Sequence, residues 1–172
     1  MLKGEGEFLD RASRLSRFME MLGYAVWQAQ RLEHALASYV VVRLRDCRGV
    51  GLEKGQTIHR KEQQRTLGLL FGEVAQSGLL SDQLISELKF IKNERNWMVH
   101  HLSREEHGVL DIPEKYCRVL RRLEQIADDS LSLSKRLGEE IENYAIKSGV
   151  SPKFIEDEAA RLIRSRGLEH LI

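Results

Sequence analysis

Apolar residues recur at spacings of three and four along most of this chain, and that spacing is the period of an amphipathic helix. The composition is rich in leucine, glutamate, arginine, alanine, lysine and glutamine, which are strong helix formers. Tyr39–Val42 resembles a strand, but it lies inside a helical pattern. The sequence therefore predicts an all-α fold.

Turn and capping residues divide this pattern into four main helices and a short C-terminal helix that begins near Pro152. The main helices are expected over about residues 8–47, 57–75, 82–103 and 113–147. Gly23 is a candidate break in the first helix, and Asp128–Ser130 is a candidate bend in the fourth. We expect one helical bundle domain over residues 1–150 and a C-terminal helical extension over residues 151–172.

The composition limits the partners and the compartment of the protein. Lysine and arginine number 27 against 26 acidic residues, so any contact with nucleic acid must be local. Cys47 and Cys117 are far apart in the sequence, which favours reduced thiols. Apolar stretches are too short for a signal peptide or a membrane span, so we expect a cytoplasmic protein. The histidines and cysteines lack the spacing of metal ligands, so we expect no metal and no cofactor.

The expected third helix carries a charge inside its apolar stripe. An ideal helix places these residues on one stripe: Leu84, Leu88, Ile91, Met98, Val99 and Leu102. Arg95 falls near the centre of this stripe, so we expect it to be buried and to meet an acidic side chain or a phosphate. Asn96 and His100 form a polar stripe on one flank. Phe90 and Trp97 form a second apolar patch, which would pack on another element or on a second subunit.

The separation of Arg95 and His100 limits how the two side chains can act together. They are five positions apart, which is about 140° on an ideal helix. A shared site therefore needs the long stem of arginine, a local distortion of the helix or a second copy of the helix. Asn96 is four positions before His100, which is close enough for its amide to hold the imidazole.

The pattern Arg95-Asn96-x-x-x-His100, late in the third helix of an all-α chain, resembles the Arg-polar-x(3–5)-His signature of the HEPN superfamily (higher eukaryote and prokaryote nucleotide-binding domains). The resemblance covers about residues 20–147. It implies a small helical bundle that forms a homodimer. For many members it also implies a metal-independent endoribonuclease in toxin–antitoxin or phage-defence systems, where the antitoxin can be of minimal nucleotidyltransferase type.

Transferred to this sequence, the signature makes Arg95 and His100 catalytic and Asn96 supporting. The family's further acidic residue has no clear counterpart, and Glu33 is the candidate acidic partner of Arg95. His101 is a candidate second histidine, although it projects about 100° further round the helix.

Cleaving RNA without a metal requires a base for the 2′-hydroxyl, stabilisation of charge on the phosphate and an acid for the leaving 5′-oxygen. Histidine and arginine can supply these functions. A two-fold interface along the third helix would supply two copies of His100 and Arg95, so we expect RNA cleavage by 2′-hydroxyl attack at a composite dimer site. The alternative is a non-catalytic dimeric helical module that binds nucleotide, RNA or a protein partner.

Two basic stripes could follow the phosphates of RNA, although such runs are more often solvated helix faces. They consist of Arg11, Arg14 and Arg17 near the N-terminus and Arg161, Arg164 and Arg166 near the C-terminus.

Overall fold

The computed structural model of the protein describes residues 3–45, 47 and 49–165, with side chains from residue 10 onward. Its helices are α1 (Lys3–Leu44), α2 (Leu52–Gln63), α3 (Leu67–Ser77), α4 (Asp82–Asn96), a π-helical segment (Trp97–His101), α5 (Leu102–Glu105), α6 (Pro113–Lys147) and α7 (Pro152–Ser165). The described residues contain no strand. The all-α prediction is therefore confirmed.

The two long helices, α1 and α6, lie side by side and run in the same direction. The Tyr116 hydroxyl donates to the Arg14 carbonyl near their N-terminal ends, and the Arg43 guanidinium lies 4.4 Å from the Tyr144 ring centroid near their C-terminal ends. Gly23 does not break α1, and Asp128–Ser130 does not interrupt α6. Packing against the partner helix on both sides of these positions outweighs their low helix propensity.

The hydrophobic core has two parts along this helix pair. The first part joins α1 to α3, α4 and α6 and includes Leu36, Tyr39, Leu70, Leu88 and Leu137. The second part joins α1 and α6 to the π-helical segment and α5 and includes Ala29, Trp97, Met98, Leu102 and Leu123. The candidate motif therefore lies against the second part of the core.

The expected second helix, over residues 57–75, is wrong as a single element. Residues 64–66 separate α2 from α3, and Thr66 has an extended backbone at the start of α3. Ion pairs that join distant parts of the chain hold this corner, and the local helical pattern does not reveal such pairs.

Four side chains, Arg45, Glu62, Arg65 and Glu73, form these ion pairs and are called the ion cluster. Arg45 donates to Glu62 at 2.8 Å and to Glu73 at 2.7 Å. Arg65 donates to Glu62 at 2.6 Å and to Glu73 at 3.0 Å. The cluster therefore ties the C-terminal end of α1 to both α2 and α3.

Side-chain caps mark the starts of two further helices. The Ser81 hydroxyl accepts a hydrogen bond from the Leu84 amide at 3.3 Å and begins α4. The Ser151 hydroxyl accepts one from the Phe154 amide at 3.2 Å and begins α7. Among the described helices, none has the length and hydrophobicity that a membrane crossing requires. Arg166 of the C-terminal basic stripe lies outside the described residues.

Candidate functional site

The Arg95–His100 motif runs across a change in helix type. The α-helical pattern ends at Asn96, and Trp97–His101 form a π-helical segment. The Leu102 amide donates to the Trp97 carbonyl five positions earlier. A π turn holds more residues than an α turn and is found frequently at functional sites. It also reduces the rotation per residue, which brings Arg95 and His100 closer together round the helix than the 140° of an ideal α-helix.

The π-helical segment changes which apolar side chains face the core. Trp97 is only 6% exposed and packs in the second part of the core, whereas Val99 is 49% exposed. Trp97 of the expected second patch therefore packs on other elements of its own chain, whereas Phe90 is 52% exposed. The expected burial of Val99 is wrong. Because the wide turn stacks Leu102 above Trp97, the buried stripe shifts toward Trp97 and away from Val99.

Arg95 meets an acidic side chain, as its position in the apolar stripe predicts. Its Nη2 atom lies 3.3 Å from Glu33 Oε1, and the two side chains are 28% and 18% exposed. This Oε1 is buried without a well-aligned hydrogen bond from a described residue, so the contact is an ion pair rather than a hydrogen bond. The guanidinium is therefore positioned by α1, and within the part of the chain that the structure describes its other N–H groups remain available to an oxygen such as that of a phosphate.

His100 and Asn96 are both exposed, and no hydrogen bond joins their side chains. The expected contact between the Asn96 amide and the imidazole is therefore not formed. His100 thus presents its ring to solvent without a side-chain partner among the described residues.

His101, in contrast, has an acidic neighbour. Its Nδ1 atom lies 3.6 Å from Glu105 Oε1, and the other oxygen of Glu105 accepts a hydrogen bond from the Trp97 indole at 3.0 Å. A carboxylate next to Nδ1 favours the tautomer with the proton on Nδ1, which leaves Nε2 as the acceptor nitrogen. Glu105 therefore connects the buried indole to an exposed imidazole beside His100.

Arg122 of α6 contacts both the Trp97 ring and the carboxylate of Glu94. Its guanidinium carbon lies 3.5 Å from the centroid of the Trp97 ring, and it donates two hydrogen bonds to Glu94, at 2.6 and 3.0 Å. Sequence reasoning missed Glu94, Glu105 and Arg122. The spacing of four between His101 and Glu105 could have revealed that pair. No local pattern predicts the contacts of Arg122, since it lies on a different helix.

The N-terminal basic stripe is largely paired with acidic residues. Arg11 donates to Asp111 at 2.8 Å, Arg14 pairs with Asp10, and Arg17 lies 3.9 Å from Glu20. These pairs favour a solvated, charge-balanced face over a continuous track for phosphates.

No family model, curated protein or solved structure matches this chain. In residues 3–45, 47 and 49–165, no three histidine, cysteine, aspartate or glutamate side chains gather closely enough to hold a metal ion. Function is therefore inferred from the chemistry and the geometry of the motif.

Proposed function

We propose that the protein is a metal-independent endoribonuclease of HEPN type that acts as a toxin or in defence. The observation that carries this proposal is the Arg95–Glu33 ion pair at the start of a π-helical segment that exposes His100 and His101. An arginine held by a carboxylate and two exposed histidines that follow it within six positions suit the recognition and cleavage of a phosphodiester.

The proposed reaction uses the 2′-hydroxyl of the RNA as the nucleophile. One histidine removes its proton, and the 2′-oxygen attacks the adjacent phosphorus while the bond from phosphorus to the 5′-oxygen breaks. Arg95 stabilises the negative charge on the phosphate oxygens, and a second histidine protonates the leaving 5′-oxygen. The products are a 2′,3′-cyclic phosphate and a free 5′-hydroxyl.

A homodimer supplies the second set of side chains in this proposal. Leu15, Met19 and Val99 are exposed apolar residues. Leu15 and Met19 are within four positions of Phe18 and Leu22, which line a cavity together with Val99. A second copy packed on Leu15 and Met19, which do not line this cavity, would cover these apolar side chains, leave the cavity open and bring two copies of His100 toward one phosphate.

The test is cleavage of a labelled single-stranded RNA in EDTA by the wild-type protein and by Arg95→Ala and His100→Ala. We expect the wild-type protein to yield 2′,3′-cyclic phosphate ends and each variant to lose activity by about a hundredfold or more. His34→Ala, which removes an exposed histidine of α1, is the matched control and should retain activity. Cleavage that requires a divalent metal, or that survives in both variants, would overturn the proposal.

The second candidate function is a non-catalytic dimeric helical module that binds nucleotide, RNA or a protein partner. It is favoured because no side chain among the described residues orients His100. Expression in a bacterial host separates the two functions. Growth arrest that disappears in Arg95→Ala and is relieved by an antitoxin of minimal nucleotidyltransferase type supports the toxin, whereas harmless expression with no RNase activity supports the module.

A further inference from the structure

A cavity of about 370 Å³ opens directly beside the π-helical segment. Its floor is apolar and is formed by Phe18, Leu22, Met98, Leu102 and Val109. Small-molecule sites in proteins are commonly about 300–1,000 Å³ and mostly apolar, with a few polar groups that fix the orientation of the ligand. The cavity therefore has the size and the floor of a site for one flat, largely apolar group.

The rim of the cavity is polar and hydrogen-bonding. It includes the exposed Ser103 and His107 and the pair formed by Arg11 and Asp111, whose Nε and carboxylate oxygen are 2.8 Å apart. A serine hydroxyl and an imidazole can each donate or accept a hydrogen bond. Such groups can read the edge of a nucleobase whose faces contact the apolar floor.

Charged side chains of both signs lie at and near the rim. Glu106, which also lines the cavity, pairs with two cations: Lys115 at 3.6 Å and Arg118 at 3.1 Å. Arg104, one turn beyond His100, is exposed and hydrogen-bonds through one nitrogen to the His100 carbonyl. The exposed Arg104 therefore keeps further N–H groups that can donate to a phosphate next to His100.

We propose that this cavity binds an unstacked nucleobase of single-stranded RNA. The inference rests on the proposed ribonuclease function, and it assigns the choice of RNA sequence to this cavity. Met98 and Val99 line the cavity, and His100 follows them directly in the chain, so a base held here places its own backbone beside the histidine. Sequence selectivity then comes from the fit of the base and from its contacts with the rim.

The test measures binding without cleavage. Fluorescein-labelled 2′-O-methyl RNA octamers of A, C or U lack the nucleophilic hydroxyl, and their affinities for the full chain follow from fluorescence anisotropy. We expect the affinities of the wild-type protein to differ by about tenfold between octamers. Ser103→Phe, which fills the mouth of the cavity, should lower the affinity for the preferred octamer by about tenfold and remove the difference in affinity between octamers. Ser13→Phe, at an exposed serine on α1 outside the cavity, is the matched control.

A second measurement does not depend on the folding of a variant. In methyl NMR spectra of the wild-type protein, addition of the preferred octamer should shift the signals of Leu22 and Val109. The signal of Leu69, which is exposed on α3, should not shift. Equal affinities for all octamers without these shifts would overturn the base site. The base site would also be overturned if Ser103→Phe changed the oligomeric state of the protein and left its RNA preference unchanged. That result would show that the mouth of the cavity is a contact between subunits.

The outcomes also separate this inference from the proposed function. RNA that binds with the expected preference but is not cleaved would support the base site and contradict catalysis. RNA that is cleaved with no effect of Ser103→Phe would support catalysis and contradict the base site. The absence of RNA binding would overturn both.

Discussion

At the scale of single residues, two adjacent histidines of the motif differ in their surroundings. His101 lies near Glu105, whereas the ring of His100 has no side-chain partner among the described residues. We assign base or acid catalysis to His100 and a supporting role to His101, because His100 matches the shorter spacing from Arg95. Glu105 then acts as a positioning residue through His101.

This assignment predicts different costs for the two histidines. His100→Ala should reduce the rate of RNA cleavage by about a hundredfold or more. His101→Ala and Glu105→Gln should each reduce it by about tenfold, and the double variant should lose no more than either single variant, since the two side chains act as one unit. Cleavage rates measured from pH 5 to 8 provide the readout. A His101→Ala variant as impaired as His100→Ala would assign the main role to His101 instead.

At the scale of the helices, the sequence predicted correctly those helix starts that a proline or a capping serine sets. Pro113 sets the start of α6 at the expected residue, and a serine cap sets the start of α4. The corner between α2 and α3 was missed because the ion cluster that holds it includes Arg45, which is 17 and 28 positions from its partners Glu62 and Glu73. The π-helical segment was missed because an ideal period of about 100° per residue was assumed throughout. The same assumption misplaced Trp97 and Val99.

The ion cluster predicts an acid-sensitive corner between α2 and α3. Burial alone would raise the pKa of Glu62, but hydrogen bonds from Arg45 and Arg65 lower it below its ordinary value of 4.5. Hydrogen bonds from Arg65 and Arg45 outweigh burial and likewise lower the pKa of Glu73. Groups with a lowered folded-state pKa stabilise the protein above their ordinary pKa, and this stabilisation is lost as the pH falls below about 4.5.

Urea unfolding at pH 7, 5, 4 and 3 measures this effect. Glu62→Gln should cost on the order of 1–3 kcal/mol at pH 7 and should flatten the loss of stability below pH 5. Glu124→Gln, which changes an exposed carboxyl of α6, is the control. An acid dependence that is identical in the wild type and in Glu62→Gln would show that the cluster does not contribute.

At the scale of the whole molecule, the candidate site can be formed by one chain or shared between two chains. The sequence predicted the ion pair of Arg95 with Glu33, but it left open whether Phe90 and Trp97 pack on the same chain or on a second copy. Trp97 packs in the core of its own chain, and Val99, which was expected in the core, faces solvent. A charge introduced at Trp97 would therefore disrupt the core rather than separate two subunits. The π-helical segment also provides the local distortion that could let Arg95 and His100 of one chain act together.

Mixing two inactive chains distinguishes these arrangements and tests the central proposal most directly. Arg95→Ala and His100→Ala chains, co-expressed with different tags and purified through both, form heterodimers that keep one Arg95 and one His100 on separate chains. A composite site pairs the Arg95 of one chain with the His100 of the other, and the single remaining His100 still supplies the base or the acid. These heterodimers should therefore cleave RNA in EDTA at least about tenfold faster than either variant alone, but more slowly than the wild type. Heterodimers of His100→Ala with the Arg95→Ala/His100→Ala double variant contain no His100 and should stay inactive. Purified heterodimers that show no recovery would contradict the composite site.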